Sequence, residues 1–330
     1  MADAVRYCST DIDGPGLPPA GSQASRLFAI LHACLVTGYG DKPGQGWELV
    51  HNGGDDGFTL LSPDGVYVCF SSWGGTYSVD LYLAESLAPP FQYPPVGINV
   101  RSQDWSADYT SSVTTRHRVS VGVGGSGVVS PKWWQVVARG AQVLLFSSRA
   151  ELTAIASGNG ADGALYLGNL KLREGVTPVM GPQNFVVAGG NNVASTNAAG
   201  SVLGTFSGAH TRLRHPLTGV VETGALAELT GWPWEYYGTS RRAVPQQHLP
   251  DIALVQTDVR LAGEGSIGYI PGVFASPAIS NYMPASVLTA LEKPASFAAL
   301  DDPVLISGEE FYATPSELGL LFVSTNEAYW

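Results

Sequence analysis

The chain reads as a mainly β protein with one N-terminal helix, an α+β arrangement of antiparallel meander or sandwich-like sheets joined by long loops. Three observations predict it. Of 330 residues, 40 are Gly and 22 are Pro, which favours turns over long helices. Short alternating or continuous apolar runs recur between turn-forming dipeptides. One segment alone carries convincing helical periodicity.

That helix is expected from about Gln23 to Thr37, with Ser22 as N-cap and Gly38 as the stop. Leu27, Ile30, Leu31, Cys34 and Leu35 share its apolar face and are assigned to the core together with Trp47. Residues 1–21, rich in Asp, Gly, Pro and Ser, are expected to form an extended arm that either packs on a neighbouring subunit or is mobile. After the helix, Trp47–His51 and Phe58–Ser62 flank the turn formers 52–57, and Val66–Phe70 and Ser78–Leu83 continue a meander. Ala88–Pro95 holds four prolines and is a connection, because proline has no amide to donate. Arg116–Val123 alternates, and Trp133–Ala138 with Ala141–Phe146 across Arg139-Gly140 reads as a tight hairpin.

The polar, low-complexity segment 189–200 divides the chain. The expected organisation is therefore an arm over 1–21, a helix plus antiparallel β unit over 22–188, and a second β-rich half over 189–330, either a subdomain or a continuation of the same fold. In that half Gly219–Ala225, Ile252–Leu261, Gly268–Val273, Val304–Ser307 and Leu318–Ser324 are candidate strands, with short helices possible by composition at 285–292 and 296–300.

Charge narrows the partners. With 28 acidic and 17 basic residues, only 4 of them Lys, the net charge of −11 repels a phosphate backbone, so nucleic-acid binding is not expected. No apolar run reaches the roughly 20 residues that span a bilayer, and the N-terminus lacks a basic then apolar signal pattern. Cys8, Cys34 and Cys69 are spaced neither as metal ligands nor as a disulfide framework and read as reduced thiols.

Several patterns that could carry chemistry read more simply as structure. Gly122–Gly127 matches G-x-G-x-x-G but is followed by Val-Val-Ser-Pro rather than a helix, so a turn is expected. His210 and His215 are separated by two cations and are placed on surface loops. Asp11-Ile12-Asp13-Gly14 opens like a calcium loop but lacks the later acidic ligands. The pairs Asp55-Asp56, Asp301-Asp302 and Glu309-Glu310 read as solvated turn charges before glycosidase carboxylates. No catalytic, metal or cofactor residue is assigned. The aromatic run Trp232, Trp234, Tyr236, Tyr237 fits three roles: a core plug, an interface anchor or a platform for sugar rings. It is the candidate interface.

Residues 33–47 follow the pattern A-C-L-V-x-G-Y-G-x-K-x-x-x-G-W after a helix and before a strand. This resembles a family of tailed-bacteriophage virion structural proteins. The order of later features is similar too: a Trp-rich strand pair at Lys132–Phe146, a Tyr-Gly strand at Leu165–Gly168, and Gly268–Phe274 before a terminal strand. The chain departs from the pattern at Glu48–Gly53, where a basic, threonine-containing strand is more usual. The resemblance implies a non-enzymatic virion part without a cofactor, located in the tail tip, baseplate or neck and assembled in the host cytoplasm. Its partners would be other virion proteins and copies of itself as a homo-oligomer. The alternatives are a capsid decoration protein and, from another class, a module that binds or cleaves host surface polysaccharide.

Overall fold

A computed structural model describes residues 3–18, 22–72, 79–89, 91–93, 95–102, 105–106, 117–119, 123–124, 127–128, 133–148, 163–174, 185–189, 191–192, 210–215, 218–221, 227–230, 254–261, 265–275, 302–316 and 319–330. Among the described residues antiparallel sheets dominate and one α-helix is present, so the fold is mainly β of the α+β kind. No described helix is long and apolar enough to cross a membrane.

The helix covers Gln23–Leu31 and continues as a π-helical turn over His32–Thr37. The Ser22 side chain accepts a hydrogen bond from the Ser25 amide, satisfying one of the free donors of the first turn. Leu27, Ile30, Leu31, Cys34, Leu35 and Trp47 are all buried in one apolar cluster.

That cluster fills the space between two sheets. The first has six strands in the order Val5–Cys8, Trp133–Arg139, Gln142–Ser148, Gly163–Asn169, Phe185–Gly189 and His210–Arg212. The second is built on Glu48–Asn52, Gly57–Leu61, Tyr67–Ser71 and Val79–Ala84, followed by Arg101–Ser102 and Trp105–Ser106. Alternation puts Phe58, Leu60, Val68, Phe70, Leu81 and Leu83 of the second sheet on the face toward Trp134, Val136, Leu145, Leu165, Leu167 and Val187 of the first. Behind the second sheet, Cys69, Tyr82, Ala84 and Val100 form a smaller cluster.

A third sheet orders Ala227–Thr230, Val255–Leu261, Gly265–Ala275, Gly319–Val323, Glu309–Ser316 and Val304–Ile306, with Lys171–Leu172 also paired to Gly265–Ala275. It meets the far face of the first sheet at the N-terminal strand. Tyr312 sits under the Arg6 guanidinium, 4.3 Å from ring centroid to carbon, and the Ala4 amide donates to the Thr325 carbonyl.

Four expectations are corrected or refined. The arm is no free extension over its described part, because Val5–Cys8 pairs with Trp133–Arg139 of the same chain. Its pairing along Trp133–Arg139, with Tyr7 and Cys8 buried, makes it an end strand. Strand pairing crosses the division at residue 189: Phe185–Gly189 pairs with His210–Arg212, and Asn191–Asn192 with His117–Arg118. Over its described residues, Gly219–Ala225 opens with a turn, the Gly219 amide donating to the His215 carbonyl, rather than with a strand. His215 is buried rather than on a surface loop, its Nδ1 accepting from the Thr218 amide. The expected helices at 285–292 and 296–300 lie outside the described residues.

Candidate functional site

The best-formed polar cluster is assembled by the motif at residues 33–47 and gathers parts distant in sequence. After the π-helical turn the chain reverses through Gly38–Tyr39 paired with Lys42–Pro43. Gly38 has φ +72, and a Cβ there would collide with the Lys42 carbonyl; one on Gly44 would collide with the Val36 carbonyl. Only glycine allows the two segments to lie this close. The Leu35 carbonyl then accepts from the Gln45 amide at 2.7 Å and the Trp47 amide at 3.3 Å, closing the helix end onto the loop.

On one side the loop grips the hairpin of the first sheet. The Gln45 Oε1 accepts from the Gly140 amide at 3.1 Å, and the Trp47 indole Nε1 donates to the Gly140 carbonyl at 2.8 Å. Both ends of one glycine at the hairpin turn are thereby held by motif side chains.

On the other side it clamps the N-terminal strand. Asp11 Oδ2 accepts from Lys42 Nζ at 2.6 Å, from the Tyr39 hydroxyl at 2.7 Å and from the Cys8 amide at 2.8 Å. The Tyr7 hydroxyl donates to the Pro43 carbonyl and accepts from Gln45 Nε2 at 2.8 Å. The rings of Tyr7 and Tyr39 are 5.6 Å apart.

Electrostatics follow from this geometry. Burial pushes the Asp11 carboxyl up, but the hydrogen bonds from Lys42, Tyr39 and the Cys8 amide outweigh it, so the carboxyl stays below its usual range. Burial raises the Tyr7 phenol to about 12 and also raises Tyr39, which in addition donates to the Asp11 carboxylate. Cys34 is raised well above the ordinary thiol value by burial and then by the Asp11 charge. At neutral pH the cluster therefore holds a carboxylate beside the Lys42 side chain, two phenols and a protonated thiol. Such a set positions segments and offers no thiolate nucleophile.

A second polar node ties the second sheet to the segment after His210–Arg212. Arg214 is bidentate to Glu85, with its second contact at 2.8 Å, and its Nη1 donates to the Gly219 carbonyl at 3.0 Å. Asn99, at φ +49, donates to the Leu213 carbonyl at 2.8 Å and accepts from Arg101 Nε at 2.9 Å. The segments it joins expose Val96, Ile98, Val220 and Val221.

Among the described residues no group of three or more His, Cys, Asp or Glu could hold a metal ion. All three cysteines are free and buried. Asp55, read as a solvated charge, accepts from the Ser22 amide at the helix start. Glu309 and Glu310 open a strand after the Ser307-Gly308 turn rather than lying in the turn itself. Trp232, Trp234, Tyr236, Tyr237 and Asp301 lie outside the described residues. Sequence reasoning missed Tyr7, Asp11, Gln45, Glu85 and Arg214 as contact-making residues. The one available signal was the Tyr39-x-x-Lys42 pair opposite an acidic turn. No protein-family model and no curated protein matches this chain.

Proposed function

We propose that the chain is a non-enzymatic structural protein of a tailed-bacteriophage virion, placed in the tail tip, baseplate or neck and acting through interfaces with copies of itself and with other virion proteins. One observation carries the reading. The residues that resemble the virion family, Cys34, Gly38, Tyr39, Lys42 and Trp47, are used to lock the helix, the first sheet and the N-terminal strand into one body. A motif built from a mechanical joint suits a protein whose work is to carry load between neighbours. The exposed Val96, Ile98, Val220 and Val221 offer apolar contact area, and the net charge of −11 disfavours nucleic acid as a partner.

The test is to purify intact particles from lysed hosts, identify their proteins by mass spectrometry, and locate this chain with a labelled antibody. The expected result is a fixed copy number per particle and label at the tail end. Label distributed over the head would replace the reading with capsid decoration. Absence from particles together with retention on host polysaccharide would replace it with the glycan module.

A further inference from the structure

We infer that the N-terminal strand is an exchangeable element: in the assembled state Val5–Cys8 of one copy pairs with Trp133–Arg139 of a second copy, which returns its own strand. This rests on the proposed role of self-association and names the partner surface. The strand lies at the end of the six-stranded sheet, so removing it interrupts no other pairing in that sheet.

Its anchors travel with it. Asp3 Oδ1 accepts from the Glu327 amide, the Ala4 amide donates to Thr325, and Arg6 Nε donates to Gln135 Oε1 at 3.2 Å. Tyr7, the Cys8 amide and Asp11 add the contacts to Tyr39, Lys42, Pro43 and Gln45. These contacts of residues 3–11 are thus made to groups that an identical copy presents in the same places. Exchange keeps every one of these contacts and changes only the connection, the condition under which domain swapping is a low-cost route to a dimer.

The connection is suited to it. Between the Asp11 clamp and Leu17-Pro18, which is held by the core and by Arg26 Nε at 3.2 Å, lie Ile12-Asp13-Gly14-Pro15-Gly16. Ile12 is fully exposed, and a Cβ on Gly16 would meet no atom within 4 Å, so this segment has room to change course. Five residues reach roughly 17 Å when extended, enough to cross a close twofold contact. Glycines on both sides of a proline permit both courses, and proline favours the extended one. The vacated Trp133–Arg139 strand would expose an apolar edge, so the exchange has to be reciprocal.

A single substitution tests this. Cys8 stands opposite Gln135, and the pair is not mutually hydrogen-bonded, since the Ser9 amide bonds Trp134 while the Cys8 amide bonds Asp11 and Tyr39. Such pairs bring Cα atoms to about 4.5 Å, within disulfide range. The full-length Gln135→Cys chain is concentrated until it self-associates, oxidised, denatured and run without reductant. Exchange predicts a disulfide-linked dimer that reductant dissolves and that Cys8→Ser abolishes. A purely intramolecular band, or a wild-type chain that stays monomeric at every concentration, overturns the inference. Should Gln135→Cys misfold by circular dichroism, Cys8→Ser with Arg6→Cys and Val137→Cys gives the same readout from the next such pair. An intramolecular band leaves the virion reading standing, and absence from particles leaves a linked dimer standing, so the two failures are separable.

Discussion

The two faces of the first sheet are both buried, yet they are built differently. Toward the helix, Trp134, Val136, Ala138, Val143, Leu145, Leu165, Leu167, Phe185 and Val187 are uniformly apolar and join the main cluster. Toward the third sheet, Val137, Leu144, Phe146 and Tyr166 share the face with Arg6, Cys8 and Gln135. One face is packed by apolar area, with its polar contacts confined to the rim at Gly140 and the Tyr7 hydroxyl, which tolerates small shifts of its neighbour in between. The other must satisfy buried polar groups, and that fixes where the third sheet can sit. The Arg6 guanidinium, between Gln135 Oε1 and the Tyr312 ring, sets that register.

The largest expected effects test whether both faces are true core. Trp134→Ala and Phe146→Ala each remove a buried aromatic from opposite faces, and each should cost about 3 to 5 kcal/mol in chemical denaturation. Similar costs support a sheet covered on both sides. A loss below about 1 kcal/mol for Phe146→Ala alone would show that the third sheet does not seal its face.

A smaller effect separates shape from polarity. Gln135 is wholly buried and its Nε2 has no partner among the described residues, so Arg6→Ala would leave Oε1 without its Arg6 donor as well. The expected loss is roughly 1 to 3 kcal/mol, and adding Gln135→Leu should recover part of it by removing the stranded amide. Strictly additive losses in that double-mutant cycle would mean that the pair contributes nothing specific.

What could be read from the sequence follows the range of the interactions. The helix span is set by local periodicity, Ser22 and Gly38, and the hairpin of Trp133–Arg139 and Gln142–Ser148 by neighbours along the chain. The switch to π-helical spacing at His32 was not legible, since it depends on how Leu35 meets Gln45 and Trp47. Val5–Cys8 is too short to show a pattern, and its partner lies more than 120 residues away. Glu309–Ser316 was obscured by Pro315, one residue from the end of the strand, where a missing amide matters less. At the site, the motif itself was visible, but its targets were not. Asp11 looked like the start of a calcium loop because nothing in its own neighbourhood reveals Lys42 and Tyr39.

The smallest effect belongs to the edge where the two faces meet, at the Asp11 clamp. In the unfolded chain an aspartate titrates near 3.9, while in the fold the carboxyl is held lower, so the unfolded state takes up the proton first as the pH falls. The stabilisation is therefore complete above the unfolded value and disappears as the pH drops through the folded one. Because Asp11 and Lys42 keep about a quarter of their side-chain surface in water, solvent screening limits the contribution to roughly 1 kcal/mol. Asp11→Asn should lower stability by about that much at pH 7 and converge with wild type as the pH falls through the lowered value of the folded carboxyl. The loss should appear first as faster hydrogen exchange at the Cys8 amide, which donates to the carboxylate, because an end strand opens before the sheet behind it. If exchange at Cys8 is unchanged in Asp11→Asn, the strand is held by its backbone ladder and by Tyr7, and the clamp is dispensable for it. If exchange rises at Cys8 while the amides of Trp133–Arg139 stay protected, the N-terminal strand opens alone.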